Sequence, residues 1–110
     1  PRGMAGSLGD LGGLLRQAQK MQRQMAELQE DLAQRKFEAS SGGGAVKVTV
    51  SGARQVIALS INPEVVDPED TELLEDLVMT AITDALKQAE VVSSQEMQAL
   101  SGGMGIPGLM

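Results

Sequence analysis

The sequence predicts an α+β chain of order α-β-β-β-α, a three-stranded antiparallel sheet with long projecting helices, assembled as a homodimer. Three observations predict it. Apolar residues recur alternately three and four apart at Leu11, Leu14, Ala18, Met21, Met25, Leu28 and Leu32, the a/d stripe of a helix with one seam. Two short runs then alternate strictly, Val46-Val48-Val50 and Ile57-Leu59-Ile61, the period of half-buried strands. A broader stripe follows from Leu73 to Ala89, wide enough to cover one face of a sheet.

The first helix reads from Leu8 to about Arg35, filled between its apolar positions by Gln, Arg, Lys, Glu and Ala, which are good or fair helix formers. Gly12 and Gly13 weaken its first turns, and Ser7 or Asp10 offers a cap. About 25 helical residues span ~37 Å at 1.5 Å each, whereas a compact domain of this size has a radius of gyration of only ~13 Å. Part of the helix therefore has to project or pack on a second chain. Self-association keeps the seam residues Leu14, Met21, Met25 and Leu28 out of water.

Phe37-Glu38-Ala39-Ser40 leads into Ser41-Gly42-Gly43-Gly44, a flexible turn signal. In the run AVKVTV, Val46, Val48 and Val50 share a face and Lys47 and Thr49 take the other. Ser51-Gly52 turns the chain, a third strand runs from Arg54 to Ile61 with Ile57, Leu59 and Ile61 inward, and Asn62-Pro63 ends it. Short links between such strands suggest an antiparallel meander. In the second helix Asp67 is placed as cap, Pro68 as first helical residue, and Glu69 and Asp70 near the positive dipole end. Gly102-Gly103 stops it. Residues 8–100 thus read as one domain, with residues 1–7 expected to be disordered and 101–110 a flexible tail. Pro1-Arg2-Gly3 ahead of Met4 reads as added residues of little weight for the fold.

Composition narrows the function. The 110 residues include no His, Cys, Trp or Tyr and a single Phe. Neither a neutral-pH proton shuttle nor soft metal ligands are available, and no Ser-His or Cys-His couple is possible. This argues against an enzyme, and no cofactor or metal is implied. No stretch reaches the ~18 apolar residues of a membrane span, and no secretory signal is apparent, so the expected address is the cytoplasm, with no membrane partner.

The net charge of −6 argues against indiscriminate polyanion binding, but the charge is polarised. Residues 1–54 carry eight basic and five acidic groups, a net of +3, and residues 55–110 carry one basic and ten acidic groups, a net of −9. Arg16, Lys20 and Arg23 stand at i, i+4 and i+7 on one helix face, opposite the seam. Like charges so spaced oppose the helix by a few tenths of a kcal/mol, and a phosphate backbone relieves that while releasing counterions. A solvated helix face is the blander account of the same three residues. At Glu27 and Glu30 the sign reverses, so a polyanion contact belongs to the helix's N-terminal half; Asp31 and Arg35 form an i, i+4 pair. The acidic set from Glu64 to Asp76 lacks the alternating Asp and loop Gly of an EF-hand and reads as caps and solvated surface. The glycines 42–44 lack the Gly-Lys-Ser/Thr ending of a phosphate loop. Met21, Met25, Met97, Met104 and Met110 would also suit an adaptable peptide groove.

Three segments together resemble the YbaB/EbfC family of bacterial nucleoid-associated proteins: LLRQAQKMQRQMAELQEDLA on the first helix, GGGAVKVTVSG over the hairpin, and INPEVVDPEDTELLEDLVMTAITDA into the second helix. The ending GMGIPGLM is similar to the family's tail, and the resemblance covers residues 8–110. It implies the α-β-β-β-α fold, a tweezer-like homodimer with protruding helices, and double-stranded DNA as partner with limited sequence preference. It further implies a nucleoid location and a link to chromosome organisation, repair or gene regulation. Asn62 stands where many relatives carry Asp, and the second helix keeps only Lys87 as a basic residue. The residues expected at DNA are Arg16, Lys20, Arg23 and Lys87; those expected in dimer contacts or packing are Leu14, Met21, Met25, Leu28, Val46, Val48 and Val50. The competing expectation, from the acidic net charge and the Met-rich seams, is a protein–protein adaptor or chaperone-like clamp.

Overall fold

The structure is a computed structural model that describes residues 2–102, with side-chain surroundings from Asp10 onward. The chain order is α1 (Arg2–Gln34), β1 (Lys36–Ser41), β2 (Val46–Ser51), β3 (Val56–Ile61) and α2 (Thr71–Gly102). The strands form one antiparallel sheet in sequence order, the expected α-β-β-β-α arrangement. The molecule measures 83 × 24 × 16 Å with a radius of gyration of 22.4 Å, far above the ~13 Å of a compact chain of this length. The helices project, as their length requires. α1 begins at Arg2, ahead of the Leu8 start that the apolar stripe marks. The tail beyond Gly102, Met104 and Met110 included, lies outside the described residues.

α2 lies across β1 and β2. Val46, Val48 and Val50 are fully buried beneath it, facing Ala81, Ala85 and Ala89 at i, i+4 and i+8. The pairing of residue types is physical: β-branched side chains fill the pleated surface, and a row of alanines lets the helix backbone come close. Each valine so buried contributes about 1.5–3 kcal/mol. Phe37, Leu74, Leu77, Val78, Ile82 and Leu86 close the rim of this core.

The helix start differs from the sequence expectation. Asp67 does not cap α2; its carboxylate accepts from the Glu69 N–H at 2.9 Å and its carbonyl from the Asp70 N–H at 2.9 Å, so it organises a turn before the helix. The cap is Asp70, which accepts from the Leu73 N–H at 3.3 Å. Two aspartates three apart both satisfy the cap pattern, and the later one caps the helix.

β3 differs more. It begins at Val56 rather than Arg54, because residues 51–55 form the hairpin turn, closed by Ser51 N–H donating to the Gln55 carbonyl at 2.8 Å. The register slips beside Val50, so Ile57 is an extra residue in the ladder. Ile61 is half-buried, but Ile57 and Leu59, expected inward, are 49 % and 48 % exposed. Leu59 does pair with Val48. The helix simply does not reach across the third strand.

Two glycine sites fix the geometry. Gly42, Gly43 and Gly44 all have positive φ, at 61°, 68° and 94°, so the run is a tight turn that L residues would strain. Gly52 is the closer constraint. Its N–H donates to the Arg35 carbonyl at 3.0 Å, and a Cβ there would lie 1.8 Å from the Leu32 carbonyl oxygen. The β2–β3 hairpin is thereby seated on the last turn of α1. Gly52→Ala should destabilise by at least about 3 kcal/mol, among the large effects for a point change, and chemical denaturation measures it; a loss under about 1 kcal/mol would show that α1 is not locked to the hairpin.

Candidate nucleic-acid interface

α1 stands out from the sheet and meets the rest of the chain mainly at its C-terminal end, where Leu32 is buried. Along its seam exposure rises toward the tip: Met21, Met25 and Leu28 are half-buried, and Leu14 is 61 % exposed. Arg16, Lys20 and Arg23 are exposed. Among the described residues none of the three forms an ion pair. Their charge therefore faces solvent without a protein partner, on a rod that a duplex can approach.

Arg35 behaves differently. Its guanidinium binds Asp31 at 2.9 Å and Glu96 of α2 at 2.8 Å. The hydrogen bond to Glu96, then that to Asp31, pushes its pKa up from an already high value. Helical spacing predicts the Asp31 partner; the Glu96 partner, 61 residues away, needs the fold. Arg35 thus ties the base of α1 to α2 and is neutralised where it stands.

Lys87 is exposed, but it rises from the part of α2 that covers the sheet, between the buried Ala85 and Ala89. It is not brought onto the arm that bears Arg16, Lys20 and Arg23. Val46, Val48 and Val50 lie wholly within the core of a single chain.

Further exposed cations emerge with the fold. Lys36 and Lys47 share the sheet face opposite α2, since Phe37, Ala39 and the valines occupy the covered one. Lys47 is legible from its alternation with the valines. Arg54 is not: it sits in the hairpin turn at φ 68°, a conformation that sequence patterns assign to Gly or Asn. Among the described residues no group of three or more Asp, Glu, His or Cys is arranged to hold a metal ion, and no helix is long and apolar enough to cross a membrane.

The projecting helix thus carries three exposed cations that form no ion pair among the described residues. The chain belongs to the YbaB/EbfC DNA-binding family, whose model matches residues 8–104. It is 49 % identical over 104 residues to a nucleoid-associated protein of Clostridium kluyveri, covering 94 % of this chain and 91 % of that one. Over 107 residues it is 50 % identical to a nucleoid-associated protein of Clostridium perfringens, covering 97 % and 96 %. Among solved structures, an uncharacterised protein of Helicobacter pylori superposes with a TM-score of 0.62 at 29 % identity, covering 86 % of this chain and 91 % of that one.

Proposed function

We propose that the chain is a nucleoid-associated protein that binds double-stranded DNA as a homodimer with limited sequence preference, in the bacterial cytoplasm, and thereby organises the chromosome. The observation that carries this reading is the exposed basic face of Arg16, Lys20 and Arg23 on a projecting helix, without an ion pair among the described residues. Family membership supports duplex DNA as the polyanion. Phosphate contacts position a protein without reading bases, and the three cations are spread along a helix face rather than gathered into a set for base edges, so weak sequence preference follows. The acidic stretch from Glu64 to Asp76 keeps that end of the body off the duplex, so the contact centres on the arms. The same contacts serve any role in repair or gene regulation.

The homodimer rests on β3. A free edge strand invites pairing unless charge blunts it. β1 carries Lys36 and Glu38 along its edge, whereas β3, Val-Ile-Ala-Leu-Ser-Ile, has no charge at all. Its Val56, Ile57 and Leu59 are each about half exposed in the single chain. A second copy covering this strand removes that apolar surface from water, with the α1 seam bracing the pair.

The test is affinity for random-sequence duplex across a salt series. Six phosphate contacts from the stripe alone, three per protomer, give a log–log slope of about −5 or steeper and roughly a 10³-fold or larger loss between 50 and 200 mM salt. Absent or salt-insensitive binding would instead favour a protein–protein adaptor.

A further inference from the structure

The β2–β3 hairpin holds a residue that its backbone does not favour. Arg54 has φ 68°, and it is the only non-glycine residue with positive φ among the described residues. The turn is closed by Arg54 N–H donating to the Ser51 carbonyl at 2.9 Å. Glycine or asparagine would take the left-handed position with less strain. Arg54 is also exposed. Its only side-chain hydrogen bond among the described residues runs from Nη1 to the Gly52 carbonyl at 3.1 Å, which leaves most of the guanidinium donors free.

Two further observations give the side chain a context. Arg54 lines one shallow depression together with Thr83, Leu86, Lys87 and Glu90 of α2. Among the described residues neither Arg54 nor Lys87 forms an ion pair, with Glu90 or with any other carboxylate. The depression therefore joins two unpaired cations from distant parts of the chain, against one carboxylate. The second observation is rigidity. Gly52, two residues away, is seated on the last turn of α1, so Arg54 keeps a fixed place relative to the basic stripe. Along the helix axis Arg23 and Arg16 lie ~14 and ~24 Å from Leu32 at 1.5 Å per residue. That span is less than the ~34 Å of one duplex turn.

We propose that Arg54, with Lys87 beside it, is a second phosphate-binding site at the base of the arm, and that a duplex lying on the basic stripe reaches it. The strained backbone sets the guanidinium at the hairpin tip, as strained residues cluster at binding sites. The proposal rests on the DNA-binding reading above.

Three proteins test it on one random-sequence duplex: the unaltered chain, Arg54→Gly and Arg54→Lys. Arg54→Gly relieves the turn, so its Tm should rise by a few degrees. Its salt slope should become shallower by about one for each phosphate it no longer neutralises, and its affinity at 0.1 M salt should fall roughly tenfold or more. Arg54→Lys keeps the charge and the strained turn, and should retain most of the slope. Opposite signs for stability and binding in Arg54→Gly are the signature of a residue kept for contact. A stabilised Arg54→Gly with unchanged slope and affinity overturns the proposal and leaves the DNA reading intact. Failure of the unaltered chain to bind DNA overturns both. Equal loss in Arg54→Lys and Arg54→Gly would show that charge at this position is not what binds, and overturns it too.

Discussion

Replacing Arg16, Lys20 and Arg23 together by glutamate is expected to abolish duplex binding while leaving the fold and the dimer intact. Each replacement changes the charge by two, so three move a protomer from −6 to −12. The attractive counterion-release contribution disappears, and like-charge repulsion along the arm replaces it. Because the three side chains are exposed and form no ion pair among the described residues, no such pair is broken there, and glutamate is a good helix former. A gel-shift or anisotropy titration at low salt should show at least a roughly 10³-fold loss, with circular dichroism and sedimentation unchanged. Binding that survives the triple replacement would move the DNA contact off this face altogether.

Leu59→Asp should turn the proposed dimer into a folded monomer. Leu59 stands in the middle of β3, beyond the reach of α2 and 48 % exposed in the single chain, so a carboxylate there stays hydrated until a partner arrives. Burying it unpaired in an interface then costs about 3–5 kcal/mol, which weakens association by roughly 10²–10³-fold. Sedimentation at micromolar concentration reads the change. Leu14→Asp separates the two surfaces: at the exposed outer seam of α1 it should weaken the dimer much less. If Leu14→Asp dissociates the protein and Leu59→Asp does not, the seam and not β3 holds the copies together. On the proposed function, loss of the dimer should also weaken DNA binding, because a monomer would bring only one of the two basic arms to the duplex.

These two expectations draw on different sources. The basic stripe is legible in the amino-acid order, because α-helical spacing alone puts residues 16, 20 and 23 on one face. Element order and the valine core are legible for the same kind of reason: periods of 3.6 and 2 are local, and Val46, Val48 and Val50 announce a covered face wherever they occur. The uncovered state of β3 is not legible. Ile57-Leu59-Ile61 alternates just as the buried strand does, and alternation marks a face to be covered without saying what covers it. The pattern points to α2 as the cover, but a helix lying over β1 and β2 leaves the third strand open.

The N-cap shows the same division on a smaller scale. Asp67-Pro68 fits the cap pattern by itself, and Asp70 fits it too. The fold makes Asp67 a turn residue and Asp70 the cap.

By itself, then, the sequence determined the α-β-β-β-α order, the valine core, the need for α1 to project and the face on which its cations stand, since each follows from local periodicity and rise per residue. Tertiary structure alone decided the rest. It tied Arg35 to Glu96, left β3 apolar and uncovered, and set Arg54 in a strained turn beside Lys87 at the foot of the arm. Those are relations between residues far apart in the chain. No local pattern encodes them, because they depend on where one layer ends over another.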